Sequence, residues 1–300
     1  MEAMMPRLRP RRAWMAAALG LWLGAAPAAF ADQFGPQGEP RGEWREQTWL
    51  IPLPHDGGRA MHATVHRPPG EDQRPLAVIN HGSPANPEQR PGVKPTYKAA
   101  AEWFVRRGFV VALPIRRGYG ATGGNWDETY GKCDSPDFRR AGLETAKDIR
   151  AAIQYLQRQG FVAPERALVV GQSAGGWGTV ALASLNPPEV AAYVNFAGGR
   201  GGYAGGKPNS NCRADRLIEA AGEFGKPARA PMLWIYAEND LFFSPAISRG
   251  MADAFVARGG RAEYHLLAPF GKDGHAMFGS VEGLARWRDV VAAFLAANGF

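Results

Sequence analysis

Two cysteines in 300 residues, Cys133 and Cys212, are too few and too far apart for a C-x-x-C metal site, and H-E-x-x-H is absent. The sequence therefore offers no recognisable metal centre and calls for no cofactor. Like charges never gather in runs of five or six. The formal net charge is +7, and it falls to +4 without residues 1–31, which hold four arginines and one glutamate. A balance of that size bears on solubility and does not point to nucleic acid. There is no internal repeat. Long apolar runs are also missing, apart from one at the N-terminus, so the rest of the chain contains no candidate membrane span.

That N-terminal run has the layout of a secretory signal. Arg7, Arg9, Arg11 and Arg12 precede "AWMAAALGLWLGAA", and small residues in "PAAFAD" place a cleavage site after Ala31. An uncleaved anchor is the alternative, although about 14 apolar residues fall short of the roughly 20 a bilayer needs. Arg11-Arg12 in "RRAWM" also partly fits a twin-arginine signal. Export, to a periplasm or outside the cell, gives the cysteines a meaning. Outside the cytoplasm an even pair is most simply a disulfide, with two separate buried thiols as the alternative.

Residues 32–44 are polar and rich in Gly and Pro, and read as a loose leader. "TWLIPLP" and "AMHATVHRP" around "HDGGR" predict an opening hairpin. Short, continuous apolar runs then recur between helical stretches: "LAVIN" (76–80), "FVVALP" (109–114), "ALVVG" (167–171), "AAYVNF" (191–196) and "MLWIY" (232–236). Such runs predict strands covered on both faces, as in a parallel sheet flanked by helices. In 141–158, Leu143, Ala146, Ile149, Ile153 and Leu156 form one helical stripe. A last helix is expected after an N-cap at Ser280, with Val281, Leu284, Trp287, Val291 and Phe294 on its packed face. The alternation predicts one α/β domain over 45–300, with a Gly-rich insertion at about 198–220 long enough to form a lid or rim.

Ligands in such sheets sit beyond the carboxyl ends of the strands. "GYGATG" (118–123) imitates a dinucleotide fingerprint, but no helix begins at its third glycine to receive a pyrophosphate. "GQSAGG" differs. A strand-like run precedes Ser173 and a helix-like run follows it, with Gly171 and Gly175 small enough to permit a sharp turn that exposes the hydroxyl. A chance match in a chain with 38 glycines is the competing explanation, so partners decide.

Of six histidines, His55, His62 and His66 fall in the hairpin, His265 inside the strand "EYHLLA", and His81 at the end of "LAVIN". His275 lies in a loop before the last helix and is the expected base. Asp240, after "MLWIY", is the expected acid, with Glu238 and Asp273 as competitors. The backbone N–H groups of Ala174 and of Ser83 in "NHGSP" are the expected oxyanion donors.

Over residues 45–300 the sequence resembles the α/β-hydrolase superfamily, and "NHGSP", "RRGYGATGG", "GQSAGGWG" and "YAENDLFF" resemble its dienelactone-hydrolase-like and prolyl-oligopeptidase-like branch. The resemblance implies an eight-stranded, mostly parallel sheet, with Ser173, Asp240 and His275 in the catalytic positions. Dienelactone hydrolases proper carry cysteine where this chain has Ser173, so lactone specificity does not transfer. The segment before "LAVIN" is too short for the propeller of prolyl oligopeptidases, so action on long peptides does not transfer either. The expected activity is hydrolysis of a small-molecule carboxylic ester. An acyltransferase, a small-peptide hydrolase and a non-catalytic binding protein are the alternatives. Trp126, Trp177, Tyr203, Phe242 and Phe243 lie in segments near the strand ends and are candidate pocket residues.

Overall fold

Every residue of β4 (Leu76–Asn80), β5 (Val110–Pro114), β6 (Ala167–Gln172) and β8 (Met232–Ala237) is buried, and β7 (Val190–Phe196) is buried except at Ala191. These strands run parallel in the middle of the sheet, with the half-exposed β9 (Ala262–Leu267) parallel at one edge. The computed structural model describes Met1 and residues 33–94 and 97–300; the signal segment and its expected cleavage site after Ala31 lie outside the described residues, Met1 apart. On the other side, β3 (Arg59–His66), β2 (Glu46–Leu53) and β1 (Gly35–Arg41) continue the sheet antiparallel. The order is β1-β2-β3-β5-β4-β6-β7-β8-β9. Because the chain leaves β4 for β5 on one side and pairs β4 with β6 on the other, the winding reverses there. A crevice opens at the carboxyl ends of β4 and β6.

Among the described residues the sheet has nine strands, one more than the resemblance implied, because residues 35–41 are not a loose leader. Gly35, Pro36 and Gln37 pair with Leu50, Trp49 and Thr48 at the sheet edge. Edge strands tolerate proline, and only Gly35 of β1 is buried. Backbone pairing holds this strand, so it leaves no hydrophobic pattern to read.

Successive strand residues face opposite layers, as the pleat requires. Val78, Trp234 and Tyr236 pack against α2 (Phe138–Leu156), α3 (Ala174–Ala183), α4 (Ala214–Gly225) and α5 (Pro245–Ala257). Ala77, Ile79, Leu233 and Ile235 pack against α1 (Lys98–Val105) and α6 (Leu284–Ala297). The helix α2 starts at Asp137, whose carboxylate accepts the Arg140 N–H at 2.8 Å, and buries Ala146, Ile149, Ile153 and Leu156. The last helix begins later than its sequence pattern suggests. Ser280 Oγ accepts the Gly283 N–H at 2.9 Å and closes a separate turn, so Val281 is 70% exposed instead of packed.

Cys133 and Cys212 form a disulfide with Cα atoms 4.8 Å apart, inside the normal range. It joins the loop that follows β5 to the Gly-rich segment after β7. Closing a loop over a separation of 79 residues corresponds to roughly 4–5 kcal/mol in the chain-entropy treatment. The double variant Cys133→Ala/Cys212→Ala is expected to lose a few kcal/mol of that order in urea unfolding. Alkylation of the native protein followed by intact-mass measurement should show no free thiol before reduction and two after.

Candidate active site

The turn between β6 and α3 has a constrained backbone. Ser173 has φ 54° and ψ −120°, a conformation that non-glycine residues rarely adopt. Its N–H donates to the Phe196 carbonyl at 3.0 Å, and its carbonyl accepts from Trp177 N at 2.9 Å and Gly199 N at 3.2 Å. A side chain at Gly175 would overlap the carbonyls of Asn80 and His81, and one at Gly82 would come within 3.1 Å of Ser173 Cβ. Those two glycines let the loop after β4 lie directly against the serine turn.

That loop is held from three sides. His81 is buried; its Nδ1–H donates to the Gly82 carbonyl (2.7 Å) and its Nε2 accepts the Arg116 N–H (3.1 Å), which fixes the tautomer. Burial, reinforced by the Arg116 charge, lowers the His81 pKa to about 3, so the ring stays neutral. Gly82 N–H donates to the Tyr97 hydroxyl (3.1 Å), which donates to Gln172 Oε1 (3.0 Å), and Gln172 Nε2 donates to the His275 carbonyl (3.0 Å). Burial pushes the Tyr97 hydroxyl up to about 12. The amides of Ser83 and Ala174 have no backbone acceptor among the described residues, and both residues line the same cleft as Ser173. Sequence reading missed the roles of Tyr97, which precedes α1 and which no motif marks, and of Gln172, which occupies a variable position inside the glycine–serine motif at the end of β6.

Asp240 and His275 meet. His275 Nδ1 lies 3.0 and 3.1 Å from the two Asp240 oxygens, and Asp240 is 1% exposed. Asp240 Oδ1 also accepts the N–H groups of Phe242 and Phe243 at 2.8 and 2.9 Å, so the carboxylate is fixed by its own loop. The competitors have other situations. Glu238 is exposed, and Asp273 Oδ1 accepts the backbone N–H groups of His275 and Leu241, positioning the histidine loop instead of the ring. The Phe242 ring stacks on the His275 imidazole at 4.0 Å. No hydrogen bond joins the Ser173 hydroxyl to His275 among the described residues, so the structure brings together the acid and the base but leaves the serine hydroxyl unpaired. Elsewhere, His55 pairs with Asp148, His265 lies 3.7 Å from Glu263 and His66 is buried. The "GYGATG" segment is a turn closed by Gly118 N–H on the Gly123 carbonyl, with a single short helical turn at Gly120–Thr122.

A cleft of about 180 Å³ opens beside Ser173, and Trp126, Phe242 and Phe243 line it together with Ser83, Ala174, Gly199–Gly202, Tyr130, Arg90 and Arg200. Trp177 is not a pocket residue. It is fully buried in α3, packs on Phe224 and donates Nε1–H to the Phe138 carbonyl, because the helix turns that position toward α2. Tyr203 does not line the cleft either; it stacks on Phe242 at 5.0 Å. Beneath the cleft lies a buried ion cluster that sequence reading also missed: Glu128 bonds both Arg116 and Arg200. Burial alone would raise the Glu128 carboxyl; Arg116 and then Arg200 outweigh it and hold it well below the usual carboxylate range. No group of three or more His, Cys, Asp or Glu side chains suited to a metal occurs among the described residues.

Residues 95–197 match the model of the prolyl oligopeptidase family, a stretch that includes Ser173 and ends before Asp240 and His275. Among solved structures the chain is similar to an acylaminoacyl peptidase in complex with Z-Gly-Gly-Phe-chloromethyl ketone (16% identity, TM-score 0.61, 85% of this chain and 42% of that one). It is also similar to an acetyl xylan esterase from Paenibacillus sp. R4 (15%, 0.60, 90% and 91%) and to an esterase from Pyrococcus furiosus (13%, 0.60, 85% and 93%). The chain thus spans about two fifths of the peptidase's length. No curated protein matches it significantly. The protein has the α/β-hydrolase fold.

Two buried groups of the site contribute to the pH response of folding, alongside the buried His66, whose pKa burial also lowers. Glu128 sits below its unfolded value of about 4.3, and His81, at about 3, sits below its unfolded value of about 6.5. In each case the unfolded chain binds the proton first, so stability is present at higher pH and lost on acidification. The unfolding free energy in urea should decline from about pH 6.5 as His81 begins to count, then more steeply near pH 4 as Glu128 joins it. A value that stays level from pH 7 to pH 4 would contradict this assignment.

Proposed function

We propose that the protein is an exported serine hydrolase that cleaves small carboxylic esters through an acyl-enzyme on Ser173. The observation that carries the reading is the strained serine turn in one cleft with Ser83 and Ala174, whose amides have no backbone acceptor among the described residues, and with the Asp240–His275 pair in the adjacent loops. His275 carries its proton on Nδ1, bonded to Asp240, which leaves Nε2 as the base. His275 Nε2 takes the Ser173 proton as Oγ bonds to the ester carbon, and the two amides receive the oxyanion, each contributing roughly 3 kcal/mol to the barrier reduction. The imidazolium, stabilised by Asp240, returns the proton to the departing alcohol. A water then repeats the sequence and releases the acid.

The small cleft supports a short acyl chain, and Trp126, Phe242 and Phe243 in its lining support an apolar or aromatic portion. Similarity over nine tenths of an esterase's length supports ester chemistry. The disulfide supports export, and no helix among the described residues is long and apolar enough to cross a membrane. The prolyl oligopeptidase match favours a second reading, a small-peptide hydrolase on the same groups.

Hydrolysis of p-nitrophenyl esters from acetate to dodecanoate is expected to peak at the short end. Ser173→Ala should lower it by around 10⁶-fold with the thermal midpoint retained, and should abolish labelling by a fluorophosphonate. Aminoacyl p-nitroanilides turned over faster than any ester would favour the peptidase reading. A folded protein that neither cleaves these substrates nor takes the label would overturn both.

A further inference from the structure

Among the described residues, two arginines and no acidic residue line the cleft beside Ser173: Arg90 and Arg200. Arg200 is 5% exposed, and its only hydrogen bonds among the described residues run from Nη2, to Glu128 and to Thr145 Oγ1. Its Nε is buried without a partner, and Nη1 makes no hydrogen bond. Arg90 stands with its guanidinium carbon 3.4 Å from the centre of the Trp126 ring, and its Nε is also buried without a partner. The Trp126 indole is held in place by Nε1–H donation to the Tyr119 hydroxyl, which donates to Glu128.

The charges do not cancel locally. Glu128 is shared between Arg116 and Arg200, so that cluster keeps one positive charge, and Arg90 adds a second. The nearby carboxylates are engaged elsewhere: Asp127 and Glu144 pair with Arg117, and Asp148 pairs with Arg117 and His55. A buried guanidinium with idle N–H groups at the wall of a cleft is an arrangement that an incoming anion completes. A neutral ester would leave those donors unsatisfied.

We propose that the ester this enzyme hydrolyses carries a carboxylate, which Arg200 receives with Arg90 as the second cation. The inference rests on the serine-hydrolase reading above. It makes Arg200 and Arg90 specificity residues, and it names an anionic substrate where the aromatic lining alone would suggest a neutral one. The carboxylate takes no part in bond making; it fixes the ester over Ser173.

The test compares matched esters, one bearing a carboxylate on the acyl side (mono-p-nitrophenyl glutarate against p-nitrophenyl pentanoate) and one on the leaving-group side (4-acetoxybenzoate against 4-methylphenyl acetate). The anionic member of at least one pair should be preferred in kcat/KM by roughly ten- to hundredfold, the range of a charge-assisted hydrogen bond. The preference should reside mainly in KM and shrink as salt is raised. It should collapse toward unity in Arg200→Gln. Because that change also unpairs one side of Glu128, Arg90→Gln and Arg200→Lys serve as second variants, each expected to cut the preference severalfold in a folded protein. Titration calorimetry with glutarate and with inorganic phosphate on Ser173→Ala gives a readout independent of turnover, and glutarate should bind more tightly. Neutral esters cleaved as well as their anionic partners in a Ser173-dependent way would overturn the carboxylate site and leave the hydrolase standing. Phosphate binding in place of glutarate would also overturn it. Failure to hydrolyse any ester of either kind would overturn the hydrolase reading, and this inference with it.

Discussion

The backbone of Ser173 is the constraint on which the rest of the site depends. Its left-handed φ costs on the order of 1–3 kcal/mol for a residue with a side chain, and that conformation persists because neighbouring elements leave no alternative. Phe196 at the end of β7 accepts its N–H, and Gly199 and Trp177 donate to its carbonyl. The turn therefore ties β6, β7 and α3 together through one residue. The loop after β4 presses on it from the other side, which is why Gly82 and Gly175 carry no side chain. The serine is presented at a strand end because the sheet, the helix and the loop all close on the same few atoms.

Electrostatics supply the second level of order. The site is floored by Arg116, Glu128 and Arg200, all nearly excluded from water, where removing one member of the cluster would leave a charge unpaired. Arg116 also reaches the neighbouring loop, donating through Nη1 to the His81 carbonyl at 2.7 Å and through its backbone N–H to His81 Nε2. A neutral histidine can accept that bond and a protonated one cannot, so the burial that keeps His81 uncharged also keeps the loop in register with the serine turn. The Tyr97–Gln172 chain links the same loop to the carbonyl of His275. The loop after β4 and the His275 loop are thus mechanically joined.

What the sequence revealed, and what it concealed, follows from the kind of force involved. Strands β4 to β8 were readable because burial on both faces demands uninterrupted apolar residues. The serine turn was readable because its geometry demands glycines at fixed offsets. Asp240 and His275 were placed by the rule that functional groups follow strand ends, and the structure joins them, while leaving the Ser173 hydroxyl outside that hydrogen-bonded pair. β1 was not readable, since an edge strand held by its backbone needs no particular side chains. Trp177 was misread because proximity in sequence to Ser173 does not fix the face of α3 on which a residue lies. The Arg116–Glu128–Arg200 cluster joins two loops, the one after β5 and the one after β7, and no local pattern announces a contact between residues 72 apart.

The disulfide has a topological consequence. The segment it encloses, 134–211, contains α2, β6, α3 and β7, and therefore the serine turn with both strands that hold it. Asp240 and His275 lie outside this ring, on the loops after β8 and β9. An opening motion that peels the C-terminal strands from the sheet would carry the Asp240–His275 pair away from the serine turn, which remains stapled. The protein is built as a cross-linked half that keeps the strained serine and an uncross-linked half that carries Asp240 and His275. Recovery after a partial opening then requires only the second half to dock again.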